Sequence, residues 1–466
     1  MYNFTYLQQY GYNVLMAGYS VFLTGDAGTG KTYLLNKFIQ DQRARDRNVM
    51  VCAPTGIAAL HINGVTLHHQ FKANIKTNVN TKPYEEVIYD LADVDTLIID
   101  EISFCRIDLF DYIVKYIFAA NSLRKKSCKP NIQVVLCGDF LQLPPVLADD
   151  DRKILEAFYN KEITMGFAFE SEYWKLLGLN IIILTEIVRQ ENREFMQSLN
   201  KLRLGDKTAL DFIMKNCSSS PIDGAINIYG KNNTVTERNI DEINRLPSEL
   251  FTHQAIITGA AKITDTNAEM ILPLKVGARV MTLVNSCDYN DNNDLVYGNG
   301  SLGTVVSINA DSVTVEFDTG AIENIGLYEW KIDEYFVDRN NKSKFPKLCK
   351  REIGTVQQYP LKLAYAITIH KSQGQTYNAV NINPYAWDCG QLYVALSRVK
   401  DLKNLYLTNE INYEYLVVSL NVIKFYNEIV SEANKELDTT VDLTKTEKKV
   451  YEDNDMNTLL DLLGRM

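Results

Sequence analysis

Five short apolar runs stand out in the first part of the chain: Ser20–Thr24, Val49–Ala53, Thr96–Asp100, Gln133–Cys137 and Ile181–Leu184. Each is continuous rather than alternating, and each ends in a cluster of Gly, Pro, Ser, Thr or Asp. Continuous runs of this length suit strands buried on both faces of a parallel sheet. Helical patterns fall between them. Thr32–Arg45 gathers Leu34, Leu35, Phe38 and Ile39 on one side, and Asp108–Phe118 gathers Leu109, Tyr112, Ile113 and Tyr116. Strand and helix alternating in this way predict a doubly wound α/β domain over residues 1–183. Ligands of such sheets sit beyond the carboxyl ends of the strands.

A second α/β unit is predicted over residues 184–275 and 356–410. The stretch 276–355 between those parts has a different period. Ser312–Phe317 alternates, and Gly298-Asn299-Gly300 and Asp318-Thr319-Gly320 read as turns, so a small all-β insert is expected there. Within it, Arg339–Arg351 carries six basic residues and no acid. That run reads equally as a solvated loop or as a nucleic-acid contact. Residues 71–83 are polar and predict a loop or a small protruding element. Residues 411–466 open with an amphipathic helix, marked by Leu416, Leu420, Ile423 and Ile429, and become acidic and poor in apolar residues from Lys435 to Asp455.

Composition narrows the class. The chain has 466 residues, 46% hydrophobic and 23% charged, which is near the globular average and excludes wholesale disorder. At about 150 residues per domain, about three domains are expected. No apolar run approaches the roughly 20 residues of a membrane span, and no secretory signal is visible at the amino terminus. The eight cysteines include no C-x-x-C pair and the five histidines form no ligand pattern. A zinc site is therefore not expected, and cysteines inside apolar runs read as small buried hydrophobes of a reducing, intracellular compartment. The net charge of −10 excludes a protein that coats nucleic acid by charge alone, but leaves room for a local basic channel.

Candidate chemistry sits at the ends of the predicted strands. Gly25-Asp26-Ala27-Gly28-Thr29-Gly30-Lys31-Thr32 fits G-x-x-x-x-G-K-[ST] between a strand and a helix. Its glycines let backbone N–H groups wrap a β-phosphate, and the helix dipole adds to the attraction. Lys31 is placed to reach the β- and γ-phosphates, and Thr32 to hold Mg²⁺ through its hydroxyl. Thr96–Ile99 delivers Asp100 and Glu101 to a sheet edge, Asp100 as a second Mg²⁺ ligand and Glu101 as the base that polarises water. Gly138-Asp139-Phe140-Leu141-Gln142-Leu143-Pro144-Pro145 follows another strand. It reads either as an ordinary proline-rich turn or as a stiffened loop presenting Gln142 to a γ-phosphate.

Taken in order, these strings resemble the superfamily-1B DNA helicases of the Pif1/RecD/Dda type. Gln8 stands where that family has the glutamine that reads adenine, with Gln9 as its near rival. Ala53-Pro54-Thr55-Gly56-Ile57-Ala58-Ala59 resembles motif Ia, Gly64-Val65-Thr66-Leu67-His68 motif Ib, Asp100–Ser103 motif II and Gly138–Pro145 motif III. Leu184-Thr185-Glu186-Ile187-Val188-Arg189-Gln190 resembles motif IV, Thr368–Thr376 motif V and Tyr393–Arg398 motif VI. The resemblance implies two RecA-like domains, the second carrying an SH3-like β-barrel at 276–355, and a short pin-like insert at 71–83 in the first. It implies Arg189 and Arg398 as arginine fingers, so that one nucleotide would be shared by two domains. It adds Gly374 to the nucleotide-binding residues. It also puts Pro54, Thr55, His68, Thr368, His370 and Lys371 near the phosphates and bases of a single strand. Phe71, just after motif Ib, is then a candidate for base stacking, although an isolated Phe is more often core. His68 is equally read as a buried, hydrogen-bonded histidine. The segment Val280–Val306 also resembles the family. Cys128–Gln133 departs from it by lacking the usual Gly-Gly, which puts a strict Pif1 assignment and quadruplex activity in question.

The implied activity is an ATP- and Mg²⁺-dependent DNA helicase, moving 5′ to 3′ on single-stranded DNA and unwinding forked or 5′-tailed duplex in replication, recombination or repair. The polarity comes from the resemblance alone. A monomer is expected, with no membrane association. The acidic tail is a candidate contact for a replication or single-strand-binding protein. The compact chain suggests a viral or mobile-element version, which would act in a nucleus or at a viral replication site. Two rivals remain at this point: a DNA-stimulated translocase that displaces proteins or anneals strands without unwinding, and a DNA-binding scaffold with a decayed motor.

Overall fold

The computed structural model describes residues 4–26, 28–55, 58–59, 62–73, 78–79, 81–186, 193–285, 297–338 and 347–438. The chain divides into two units, one formed by Met1–Gln190, Tyr335–Cys349 and Ser419–Met466, the other by Glu191–Glu334 and Lys350–Val418.

The first unit contains, in order, α1 (Tyr6–Met16), β1 (Val21–Gly25), α2 (Lys31–Arg43), β2 (Val49–Ala53), β3 (Val65–Thr66), α3 (Leu67–Gln70), α4 (Glu85–Ala92) and β4 (Thr96–Ile99). There follow α5 (Ile107–Lys126), β5 (Gln133–Cys137), α6 (Asp149–Tyr159), α7 (Tyr173–Leu176) and β6 (Asn180–Leu184). The strands pair in the order β3-β2-β4-β5-β1-β6, all parallel. The continuous apolar runs have a direct cause. Leu97 and Ile99 of β4 join Leu109, Tyr112, Ile113 and Tyr116 of α5 on one face. Ile98 joins Leu34, Leu35, Phe38 and Ile39 of α2 on the other. With both faces covered, the successive positions Leu97–Ile99 are all apolar, and the buried Thr96 hydroxyl at the strand start is satisfied by Gln133 Oε1 at 3.1 Å.

The polar stretch 71–83 is anchored at its described positions rather than standing free. Phe71 is fully buried, Val79 packs with Ile107, Leu155 and Ile163, and the Asn78 amide donates to Asp108 Oδ2 at 2.8 Å. Residues 74–77 and 80 lie outside the described residues.

The second unit runs α8 (Arg193–Arg203), α9 (Thr208–Asn216), β7 (Ile226–Tyr229), α10 (Asn232–Arg245), β8 (Phe251–Gln254), β9 (Ile256–Ile257), β10 (Ile271–Leu274) and β11 (Arg279–Thr282). Next come β12 (Leu302–Ile308), β13 (Ser312–Phe317), β14 (Ile322–Gly326), β15 (Tyr328–Asp338), β16 (Lys347–Gln358) and β17 (Leu361–Leu363). It closes with β18 (Ala366–Thr368), α11 (Ile369–Ser372), β19 (Val380–Ile382), α12 (Gln391–Leu396) and β20 (Leu405–Leu407). Its own parallel sheet has the order β18-β7-β19-β20. The β insert is an antiparallel sheet in the order β14-β13-β12-β11-β17, around a core that includes Val280, Val305, Val313, Val315, Phe317 and Leu361. Its pairings run in a line and close no ring among the described residues, and β17 lies past the expected boundary at 355. Of the basic run, residues 339–346 lie outside the described residues, and Lys347–Arg351 open the strand β16.

The last described element is α13 (Leu420–Asp438), which belongs to the first unit. It packs against β6, with Val422, Ile429 and Ala433 buried, and the Phe425 ring stacks on Phe169 at 4.1 Å between centroids. The expected apolar stripe needs correction at Leu420, which is 80% exposed at the helix start, while Leu416 is buried before the helix begins. Residues 439–466, with most of the acidic tail, lie outside the described residues.

Candidate functional site

The carboxyl ends of β1, β4 and β5 meet at one edge of the first sheet. Gly25 ends β1 with φ 146°, and a Cβ there would lie 2.1 Å from the Leu184 carbonyl oxygen, so only glycine fits beside β6. Gly28 and Gly30 take left-handed φ values of 77° and 79°, which glycine adopts without strain. No side chain caps the α2 amino terminus, so the first-turn N–H groups remain open to an anion. Lys31 arches back over the loop and donates to the Gly25 and Asp26 carbonyls at 2.8 and 3.0 Å. Thr29 Oγ1 donates to the Asp26 carbonyl at 2.8 Å. Thr32 is exposed in the first turn. Ala27 lies outside the described residues.

Gln8 is 1% exposed and braces this loop. Its Oε1 accepts from the Thr5 amide at 3.0 Å while its Nε2 donates to the Thr29 carbonyl at 2.9 Å. Thr5 and Gln8 are thus the two halves of a capping box on α1, and the glutamine side chain ties that cap to the phosphate loop. Gln9, by contrast, is exposed and bonds Asn13 on its own helix. The Leu7 amide donates to Glu186 Oε2 at 3.4 Å, bringing the first described part of motif IV to the same helix end.

Asp100 follows β4 and is 8% exposed. Burial pushes its carboxyl above the usual range, while the Cys137 thiol, the Glu101 amide and the charge of Lys31 pull it down. Asp139 follows β5 and is pushed up by burial in the same way. Lys31, the Leu141 amide and the Gln142 side chain oppose that shift. Gln142 Nε2 reaches Asp139 Oδ2 at 3.2 Å. Glu101 sits in the left-handed region at φ 50° and turns the chain out of β4 into the short 3-10 turn Ile102–Phe104. Lys31, Asp100, Glu101, Asp139 and Gln142 are therefore neighbours, as their order along the sheet edge requires. Asp139 and the Cys137 thiol are members that sequence reasoning did not single out. The signal for Asp139 lay inside the Gly-Asp-Phe string itself.

The candidate nucleic-acid residues fall on both units. In the first, Pro54 is half-buried and Thr55 exposed, with Thr55 Oγ1 accepting from the Ala58 amide at 3.3 Å. Gly56 and Ile57 lie outside the described residues. His68 is half-buried, and burial and the nearby Arg106 hold its pKa below the ordinary histidine value. Phe71 corrects the expectation of a stacking base. It is 0% exposed, its ring packs 5.5 Å from Tyr116, and its carbonyl accepts from the Tyr116 hydroxyl at 3.1 Å. Aromatic burial against α5 leaves no face for a ligand.

In the second unit Thr368 caps α11 by accepting from the Lys371 amide at 3.2 Å. Lys371 and Gly374 are exposed, and Gly374 turns at φ 75°. His370 is half-buried, which lowers its pKa, with Asp388 nearby opposing the shift. Arg398 is 5% exposed. Its guanidinium donates to the Ser372 and Gln375 carbonyls at 2.9 and 3.0 Å, to Val394 O at 2.6 Å and to Ser397 Oγ at 2.6 Å. The arginine thus grips the backbone of motif V. Arg189 lies outside the described residues. Among the described residues no group of three or more His, Cys, Asp or Glu side chains forms a metal cluster. One buried carboxylate and one hydroxyl, with the remaining positions left to phosphate and water, is the donor set that suits Mg²⁺.

Comparison with known proteins bears on this arrangement. A model of the PIF1-like helicase family matches residues 8–211, and a UvrD-like helicase C-terminal domain matches residues 363–406. The ATP-dependent DNA helicase Pif1 of Psychrobacter sp. is 32% identical over 85% of this chain, which spans 66% of that relative's length. The crystal structure of Pif1 from Bacteroides sp. in complex with ADP-AlF4 is 32% identical, with a TM-score of 0.75 over 93% of this chain and 99% of that one. A structure described as DNA unwinding at forked duplex by two coordinating Pif1 helicases is also 32% identical. It has a TM-score of 0.67 over 93% of this chain and 98% of that one.

Proposed function

The chain belongs to the PIF1-like helicase family, and we propose that it is an ATP-dependent DNA helicase that moves 5′ to 3′ on a single strand and opens the duplex ahead. The observation that carries the reading is the convergence of Lys31, Asp100, Asp139 and Gln142 at one sheet edge, beside a glycine loop whose N–H groups are open to phosphate. Lys31 would exchange its loop carbonyls for the β- and γ-phosphates. Glu101 would orient the attacking water, and Gln142 would sense the γ-phosphate. Thr32 and Asp100 would hold Mg²⁺, which would supply positive charge to offset the charge that develops during phosphoryl transfer. The related Bacteroides protein takes ADP-AlF4, which supports a nucleotide in the corresponding place here.

Arg398 is proposed to answer to both substrates. It holds the Ser372 and Gln375 carbonyls of motif V, and the family role of its motif is the γ-phosphate. A shift of that guanidinium toward phosphate would free motif V backbone that contacts DNA, which links hydrolysis to grip. Arg189 is proposed as a second arginine finger on the resemblance alone.

The test is strand displacement with Mg²⁺ and ATP on two substrates, one duplex with a 5′ single-stranded tail and the same duplex with a 3′ tail. Unwinding of the 5′-tailed substrate alone, absent in Lys31→Ala, is the expected result. Unwinding of the 3′-tailed substrate alone would overturn the polarity. DNA-stimulated hydrolysis with no displacement of either would replace the helicase with a translocase.

A further inference from the structure

Three strands of the second unit's parallel sheet, β18, β7 and β19, end side by side, with Thr368 opposite Tyr229 and Ile382 opposite Ile228. The residues that follow them share one edge. Motif V follows β18, Gly230 and Lys231 follow β7, and Asn383–Gly390 follow β19. Two large aromatic side chains are exposed there, Tyr385 at 41% and Trp387 at 47%. Their rings lie 5.7 Å apart, and Tyr385 also meets Tyr415 edge-on at 5.4 Å. Lys231 Nζ stands 5.0 Å from the Tyr385 centroid and 6.0 Å from that of Trp387.

The cluster is held in place. The Tyr385 amide donates to Asn383 Oδ1 at 3.0 Å and the Trp387 amide to Gln391 Oε1 at 3.2 Å. The indole rests on the bare backbone of Gly230, where a Cβ would stand 2.5 Å from its Cζ3. Exposing an indole costs hydrophobic free energy, so a rigid aromatic pair at a ligand-bearing sheet edge calls for an occupant. Flat apolar rings flanked by an ammonium group match one ligand chemistry closely, a nucleobase with its phosphate. Asp388 of the same loop lies close enough to His370 to act on its titration, which ties the cluster to motif V.

We propose that Tyr385 and Trp387, with Lys231 beside them, form a base-stacking platform for the single strand that motif V holds by its backbone. The inference rests on the helicase reading and adds a site to it. Stacking on π-faces is tolerant of sequence, as a translocating strand requires.

Tryptophan emission reports the site directly. Trp174 and Trp330 are each 7% exposed, so Trp387 is the one tryptophan open to a base. The protein would be titrated with a fluorescein-labelled oligothymidine and with an abasic strand of the same length. Wild-type emission should be quenched by the oligothymidine, and the quench should be missing in Trp387→Phe. Trp387→Ala should bind about tenfold more weakly, with Trp387→Phe close to wild type. Removal of the bases should cost the wild type more than it costs Trp387→Ala. Gly230→Ala, which displaces the ring from behind, should reproduce part of the loss. If the wild type binds the oligothymidine and Trp387→Ala binds it equally well, the platform is refuted while the helicase reading stands. The exposed rings would then suit a protein partner. If the wild type binds no single strand at all, the helicase reading itself fails and the platform with it.

Discussion

Replacing Gln8 by Ala separates two roles that a glutamine before a phosphate loop can have. In this structure both ends of the side-chain amide are engaged inside the protein, with the Thr5 amide and the Thr29 carbonyl. Each hydrogen bond is worth about 1 kcal/mol net, and a buried carbonyl left without a donor costs about 1–3 kcal/mol. Thr29 is fully buried, so no water replaces the lost donor readily. Gln8→Ala should therefore destabilise the first unit by about 2–4 kcal/mol, a drop in melting temperature on the order of 5–10 °C. Gln8→Glu keeps an acceptor for Thr5 but sets a carboxylate against the Thr29 carbonyl, so it should be worse than Ala. A loosened loop binds every nucleotide less well. Loss of about 1 kcal/mol of preorganisation would weaken ADP and GDP alike by about fivefold. Thermal melting and calorimetric titration with both nucleotides test this. An unchanged melting temperature, with ADP weakened and GDP unaffected, would show that Gln8 reads the base and does not brace the loop.

Other outcomes follow from buried groups. Phe71→Ala should lower stability by about 3–5 kcal/mol through a cavity against Tyr116, and leave single-strand affinity within a factor of about two, measured by denaturant melts and anisotropy. Arg398→Lys strips hydrogen bonds from the Ser372 and Gln375 carbonyls, so it should weaken single-strand binding about threefold to tenfold even without nucleotide, an effect that a residue acting on phosphate alone would not show. Asp111 is buried, with Tyr159 and Ser171 donating to it, and burial raises its pKa to about 6. The folded state thus holds that proton more tightly than the unfolded chain. The associated stability is fully present below the unfolded value and is lost as pH rises through 6, about 1.4 kcal/mol between pH 5 and 8. Asp111→Asn should remove that part of the pH dependence, read as the difference between the two stability profiles.

Five of the six strand runs of the first unit were legible because those strands are covered on both faces, which confines their polar residues to the strand ends. Gly25, Lys31, Asp100 and Gln142 were legible for a related reason: a parallel sheet brings every βα turn to one edge, so motifs distant in sequence become neighbours once the strand order is known. What sequence did not reveal depends on contacts made across long separations. Phe71 is preceded by a motif that suggests DNA, and only the approach of Tyr116 shows that its ring is core. Cys137 reads as a small buried hydrophobe and is one, yet its thiol also donates to Asp100 because β4 and β5 end level with each other. Arg398 belongs to a recognisable string, but its grip on motif V depends on the turn after α11. The place of α13 was invisible, since an amphipathic helix does not state which surface it covers.

That last helix sets the order in which the protein can be made. Phe22 and Phe425 are in ring contact but about 400 residues apart in the chain. During synthesis this sheet emerges well before α13, with Phe22, Phe140, Phe169 and Trp174 lacking part of their cover until residues 420–438 leave the ribosome. Loop closure over such a span adds only modestly to the entropic cost, because the cost grows with the logarithm of length. The delay itself is the hazard, since an open aromatic face invites aggregation for as long as it waits. The second unit can fold during that interval, and the arrival of α13 then seals the first. A nonsense or frameshift change after residue 418 would spare every motif for ATP and DNA and still leave a nascent chain that depends on chaperones for a face it can no longer cover.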